Sequence, residues 1–396
     1  MPLPTGEERE KCYGENHWRR HETLPQALRL RYDRLKNHVR PFRTTRELES
    51  LEQAGAGERT RCQMSGRRDE SSHQPLYGAL DLGTNNCRLL LATPNEDGFR
   101  VVEAFSRVTR LGEGLANSGL LSEAAIERTL CALRQCAQRV ERREVRRLRS
   151  VATEACRRAS NGVDFLRRVF ENTGLVLETI SAEDEAKLAL AGCAPLLDRS
   201  HPFALVFDIG GGSTELIKVR LGETPAEDGV ETVVSLPLGV VTLAEEAGER
   251  LHEALGYASV VDLLVERLRP FDQRSGFGPL VARGLVQMLG TSGTVTTLAG
   301  VHLDLPRYDR ALVDGLVMEY SEVAAISRRL VTADARERAQ HPCIGEVRAD
   351  LVVAGCAILE AICRLWPADR LTVADRGVRE GVLLSMMQAD RLAARS

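Results

Sequence analysis

The sequence predicts an α/β protein of two domains on one plan, each a mixed β-sheet flanked by helices, with a cleft between them. Three observations lead there. From Leu76 onward, apolar runs of strand length alternate with stretches of helical period. The pattern "LYGALDLGTNNCRLLLATP" (76–94) returns as "FALVFDIGGGSTELIKVRL" (203–221): apolar strand, Asp, Gly-rich turn, hydroxyl residue, strand. The first 75 residues show neither feature; they carry 15 Lys/Arg and 12 Asp/Glu among scattered apolar positions.

Taken in order, residues 76–94 read as a hairpin pinned at Gly83, and "GFRVVEAFSRVTRL" continues as strand. Ser122 caps a helix over 122–143, whose apolar face is Ala125, Ile126, Leu130, Leu133 and Val140. "VRRLRSVAT" is a strand, Asn161 caps a helix through Phe170, "GLVLETIS" is a strand and "AEDEAKLALAGCAPLL" a helix. The plan restarts at Phe203, adds the strand "ETVVSLPLG", and reaches "MLGTSGTVTTLAG" (288–300), a strand ending at Gly290 that opens a helix. The expected domains are therefore 76–200 and 201–396, with the last helix packing back on the first. Residues 1–75 form an extension outside them, with one short basic helix at 24–39 and a Gly/Ser-rich linker. A disordered extension, or a true start of translation at Met64, is the expectation for this segment, and a basic arm that binds nucleic acid or a partner is the weaker reading.

Composition excludes several classes. A net charge of -3 gives no global attraction for polyanions, so any anionic substrate is drawn by local cations. None of the ten cysteines forms a C-x-x-C pair, and the eight histidines show no metal-type spacing. The start has no basic and apolar leader, and the longest uncharged apolar run, 351–359, is about half of the roughly 20 residues a membrane span needs. The expectation is a soluble cytoplasmic protein that engages neither membrane nor nucleic acid.

The turns carry the chemistry. Glycine lets backbone N–H groups approach phosphate oxygens without a Cβ, and it tolerates the positive φ of an anion-binding nest. Gly83, Thr84 and Asn85 in the first turn, and Gly210, Gly211, Gly212, Ser213 and Thr214 in the second, are candidate phosphate contacts. Ser292, Gly293 and Thr294, at a helix start, form a third. Asp81 and Asp208 repel phosphate but suit a divalent cation, directly or through water. Each feature alone also fits a plain hairpin tip or helix cap; three together favour an anion site.

Asp81-Leu-Gly-Thr-Asn-Asn, Asp208-Ile-Gly-Gly-Gly-Ser-Thr-Glu and Gly290-Thr-Ser-Gly-Thr resemble the phosphate and adenosine motifs of the actin, sugar-kinase and chaperone ATPase superfamily, whose domains are actin-like (ribonuclease H-like). More narrowly, "RLGEGL", "ATEACRRASNG", "ISAEDEAKLA", "SLPLGVVTL" and "DRGVREGVLL" resemble the exopolyphosphatase and guanosine pentaphosphate phosphohydrolase family, in its short two-domain form. The resemblance implies release of terminal orthophosphate from polyphosphate or guanosine pentaphosphate in the interdomain cleft, Mg²⁺ as cofactor, and a homodimer as the common assembly. Glu183, Asp184 and Glu185 by themselves read as a helix-dipole cluster; the resemblance singles out Glu185 as general base. It likewise places Arg157 over the cleft as a phosphoryl-binding fork. Arg88, Arg110 and the run from Arg142 to Arg149 are weaker candidates for a cationic track, and most simply a solvated face. An ATP-dependent small-molecule kinase and a non-catalytic guanosine tetraphosphate sensor are the competing readings.

Overall fold

The computed structural model describes residues 75–394 apart from 97, 225 and 226. The expectations for the basic helix, the linker and Met64 lie outside the described residues. The first sheet has five strands in the order β3-β2-β1-β4-β5. Strands β1 (Tyr77–Leu82), β2 (Asn86–Asn95) and β3 (Gly98–Val108) form an antiparallel meander. Helix α1 (Glu123–Arg142) then crosses over to β4 (Arg147–Ala152), which runs parallel to β1. Ser122 caps α1 by accepting from the Ala125 N–H, and Ile126, Leu130 and Leu133 bury its inner face. The short helix α2 (Glu154–Arg158), helix α3 (Gly162–Thr173) and strand β5 (Leu177–Thr179) follow, and then α4 (Ala182–Cys193). Asn161 does not cap α3 as expected. Its amide exchanges two hydrogen bonds with the Leu121 backbone, stapling α3 to the lead-in of α1.

The second sheet has the order β10-β11-β9-β6-β7-β8. Strands β6 (Phe203–Ile209), β7 (Thr214–Arg220) and β8 (Gly229–Leu236) repeat the meander. Helices α5 (Val240–Ala247) and α6 (Ala254–Ser275) precede β9 (Val286–Thr291), which is parallel to β6. After α7 (Ser292–His302) come β10 (Val317–Glu319), α8 (Leu351–Leu365), β11 (Arg370–Ala374) and α9 (Val378–Ala393). Apart from the added edge strand β10, both sheets follow one connectivity, meander then parallel strands, as in actin-like domains. The apolar run at 351–359 is the centre of α8, buried on nearly all sides in the core of the second sheet's layer. Among the described residues no helix is long and apolar enough to cross a membrane.

Helices α4 and α9 lie against each other and link the two sheets. Leu188 and Ala189 of α4 pack with Val382, Leu383 and Met386 of α9 and with Ala79 of β1. Ala186, Leu190 and Cys193, on the other side of α4, pack with Val206 and Ile217 of the second sheet. The helices meet at small residues: a Cβ on Gly381 would fall 2.0 Å from the Leu188 carbonyl oxygen, and one on Gly192 2.2 Å from that of Gly377. The last helix thus packs on β1, in the sheet formed by the earliest strands.

Candidate active site

The carboxyl ends of the central parallel strands converge on one cleft, where open α/β sheets place their ligands. Asp81 lies near the end of β1 and Asp208 near that of β6; Thr153 follows β4, Ser292 follows β9 and Asp375 follows β11, and all five line the same cavity. The two glycine turns have identical closures. The Gly83 N–H donates to the Asn86 carbonyl at 2.9 Å, and the Gly210 N–H to the Ser213 carbonyl at 2.9 Å. Asp81 and Asp208 therefore open into a shared space rather than separate regions.

The turns also touch. A Cβ on Gly212 would lie 2.6 Å from Thr84 Oγ1, one on Gly211 3.0 Å from the Asn85 nitrogen, and one on Gly239 2.3 Å from the Gly211 carbonyl carbon. This close approach explains the glycines. None of Gly83, Gly210, Gly211 and Gly212 has a positive φ, so the expected left-handed nest is not how they act; they let two loops pass within backbone contact. Positive φ appears instead at Ser292 (φ 79), where β9 turns into α7.

Strand register decides what faces each aspartate. Asp81 pairs across the hairpin with Arg88, and Asp208 pairs with Glu215, each seven residues on. Directly opposed residues share a face of the sheet. One wall therefore carries its own cation, and the other carries two carboxyls. Burial raises the Asp81 pKa, while Arg88 and Arg379 hold it back. Asp208 is pushed up to about 6, chiefly by burial, against a hydrogen bond from Ser292 and the charge of Arg88. Glu215 is pushed up to about 7 by burial and by Asp208, with Ser235, Ser213 and Arg157 opposing; Ser235 donates to its carboxylate at 2.7 Å.

Glu185 comes in from the first turn of α4, which Ser181 caps through the Asp184 N–H. Its two acidic neighbours stay at the surface: Glu183 pairs with Lys187 at 2.7 Å, and Asp184 accepts from the Ser181 hydroxyl. Glu185 lines the cavity and accepts from Arg157 Nη1 at 2.7 Å. Burial, then the charge of Glu215, raises its pKa well above the usual glutamate value, and Arg157 opposes that rise.

Four of the expected residues are not in the cavity wall. The Thr214 hydroxyl donates to the Leu238 carbonyl at 2.6 Å and is buried. Thr294 packs under α8, where a Cβ on Gly355 would meet its hydroxyl at 2.6 Å. Gly293, the next residue into α7 after Ser292, is not among the residues that line the cavity. Arg157 is engaged elsewhere: it donates to Glu154, to the Ile180 carbonyl and to Glu185. The arginine run is likewise occupied, with Arg143 on Glu103, Arg147 on Asp390 and Arg149 on Glu178.

Two motifs contribute in ways that the sequence did not show. "RLGEGL" straps the first turn: the N–H groups of Thr109 and Arg110 donate to the Asn85 carbonyl, and that of Gly112 to the Thr84 carbonyl. The same segment reaches the second half of the molecule through Arg110 to the Val347 carbonyl at 3.2 Å and the Gly114 N–H to Glu245 at 2.8 Å. "DRGVREG" supplies a third wall, from Asp375 to Glu380. Asp314 fixes it by accepting from the Asp375 N–H and from Arg376, while Tyr308 donates to Asp375 at 2.8 Å.

Comparison with known proteins agrees with this architecture. The model of the Ppx/GppA phosphatase family matches residues 91–390. Exopolyphosphatase 2 of Mycobacterium tuberculosis (strain CDC 1551 / Oshkosh) is 30% identical over 323 residues, 78% of this chain and 97% of the relative. The crystal structure of the Aquifex aeolicus Ppx/GppA family member superposes with a TM-score of 0.66 at 29% identity, covering 80% of this chain and 98% of that one. That of an exopolyphosphatase-like protein does so with a TM-score of 0.72 at 26% identity, covering 79% and 98%. With two like-built sheets, facing glycine turns and a family match over most of its length, the chain belongs to the Ppx/GppA phosphatase family.

Proposed function

We propose that the protein hydrolyses the terminal phosphoanhydride bond of inorganic polyphosphate. The observation that carries this reading is Glu185, a buried carboxyl that faces both glycine turns and is held in place by Arg157. The raised pKa suits a general base working near neutral pH. In the step proposed, Glu185 takes a proton from a water whose oxygen attacks the terminal phosphorus. The P–O bond to the bridging oxygen breaks, and orthophosphate leaves the shortened chain. Asn85 and Ser213, with free N–H groups of the turns, bind the equatorial oxygens, and Arg88 balances the charge that gathers there.

The donor set fits a hard divalent cation. Among the described residues no three ligating side chains converge into a ready-made metal cage. Yet Asp208 and Glu215 oppose each other on one face of the hairpin with both pKa values raised despite the charges of Arg88 and Arg157. Mg²⁺ commonly takes one or two carboxylates and completes its shell with water and substrate phosphate. Asp208 and, through water, Asp81 line the cavity and would hold it, with Glu215 beside Asp208 on the same face but outside the lining; when bound it would screen the negative charge of the substrate.

The cavity lining favours the polymer over guanosine pentaphosphate. Among the described residues Val378 is the only apolar side chain in the lining and none of the lining residues is aromatic, a poor shelf for a nucleobase. The same feature weighs against an ATP-dependent kinase. The test is phosphate release from long-chain polyphosphate, guanosine pentaphosphate and ATP, by wild type and Glu185→Gln. The expected result is release from polyphosphate, reduced by about 10²-fold or more in the variant. Unchanged activity in Glu185→Gln removes the base; release from none of the three favours a binding protein.

A further inference from the structure

We propose that Arg379 is the guanidinium that meets the transferred phosphoryl group, and that Arg157 is a positioning residue for Glu185 that does not touch substrate. The inference rests on the phosphohydrolase reading above and refines it.

Arginine is the usual partner of phosphoryl oxygens because its planar fork offers several donors at once. Its usefulness depends on those donors being unspent. Arg157 makes four hydrogen bonds: Nε and Nη2 to Glu154, Nη1 to the Ile180 carbonyl and to Glu185. Turning it toward a phosphate would break the pair with Glu185 and leave that buried carboxyl without its cation, a costly exchange in a desolvated site. Arg157 is also absent from the cavity lining.

Arg379 is in the opposite situation. It stands in the first turn of α9, lines the cavity, and is only 13% exposed. Among the described residues it donates no hydrogen bond. Its nearest carboxylate is Glu380 at 3.8 Å, but Glu380 is already bound by Arg310 at 3.0 Å and by the Gly377 N–H at 2.9 Å. A nearly buried guanidinium with unspent donors in a phosphate-sized polar cleft calls for an anionic oxygen. Arg379 also lowers the pKa of both Asp81 and Asp375, so its charge is felt on two walls of the cleft. Of the other cations in the lining, Arg376 is paired with Asp314, and Arg88 acts on Asp81 and Asp208 from the β1–β2 hairpin. Arg379 therefore supplies positive charge from a third direction.

The experiment compares wild type with Arg379→Gln, Arg379→Lys, Arg157→Gln and Arg157→Lys. It reads kcat and KM on polyphosphate, the thermal midpoint, and the affinity for inorganic orthophosphate with Mg²⁺ by calorimetry. Arg379→Gln is expected to lower kcat about 10²- to 10³-fold and to weaken orthophosphate by about tenfold or more. Arg379→Lys regains part of both, since a point charge cannot reproduce the fork. Arg157→Gln is expected to lower kcat while orthophosphate affinity stays within about threefold, and Arg157→Lys to restore most of the rate. The proposal is overturned if Arg379→Gln keeps both values within about threefold of wild type, or if Arg157→Gln loses orthophosphate as Arg379→Gln does. If wild type cleaves no polyphosphate, the substrate reading fails but the calorimetry still decides. Weakened orthophosphate in Arg379→Gln upholds the assignment; no binding by wild type, or equal binding by both, overturns it. If Arg379→Gln does not fold, Arg379→Lys decides alone, and wild-type values in both readouts overturn the proposal.

Discussion

Replacing Glu215 by Gln should make the metal-free protein more stable, and increasingly so as pH rises. The carboxyl ionises with a pKa of about 7 in the folded protein, against an ordinary glutamate value of 4.5. A difference of about 2.5 units at about 1.4 kcal/mol each corresponds to about 3 kcal/mol. Because the folded value is the higher one, the folded protein keeps its proton between pH 4.5 and 7 while the unfolded chain releases it. Stability therefore falls across that interval, and the full cost is present above pH 7. Below pH 4.5 both states are protonated and the group contributes nothing. Glutamine keeps the oxygen that accepts from Ser235 and removes the charge facing Asp208. Thermal melts of both proteins in chelator, from pH 4.5 to 8.5, should show near-equal midpoints at the acid end. Toward pH 8 the variant should lead by several degrees. Parallel curves, or a variant that loses ground as pH rises, would refute the idea that this wall holds uncompensated negative charge.

Other consequences can be checked alongside. Mg²⁺ should raise the wild-type melting point more at pH 8 than at pH 5.5, since its ligands must ionise to bind it; a pH-independent shift, or none, counts against Asp208 as a ligand. Gly381→Ala should destabilise by about 3 kcal/mol or more, beyond ordinary overpacking, because its Cβ would sit 2.0 Å from a backbone oxygen; a denaturant midpoint equal to wild type would show that α4 and α9 can part freely. Gly212→Ala should cut kcat with a smaller loss of stability, because Thr84 Oγ1, 2.6 Å from the new methyl, is a side chain of the opposite turn that can move aside; the ratio of activity loss to melting-point loss tests this.

Much of this architecture was readable in the chain. Apolar runs broken by Asp-x-Gly are local signals, and they marked both hairpins and hence the repeat. Ser122 announced its helix for the same reason, since a cap acts within three residues, whereas the Ser181 cap of α4 appeared only in the structure. Glu185 needed the family resemblance, because from composition alone it is one of three acids at a helix start. What escaped was non-local. Nothing near Arg157 in sequence says that Glu185 and Ile180 will occupy it. The arrival of Asp375 to Glu380 depends on a strand order that places β11 beside β9. The contrast of Arg88 with Glu215 was legible after all: each lies seven residues beyond its aspartate, and aligning the repeats one strand further exposes it.

The return of α9 onto β1 has a bearing on how the molecule is made. A ribosome delivers the first hairpin about three hundred residues before the helix that covers it. Until then Tyr77, Ala79 and Leu90 lack their apolar lid, and the nascent half is exposed to sticking and to chaperones. The same delay leaves Arg379 and the wall from Asp375 to Glu380 missing from every nascent chain that stops short of α9.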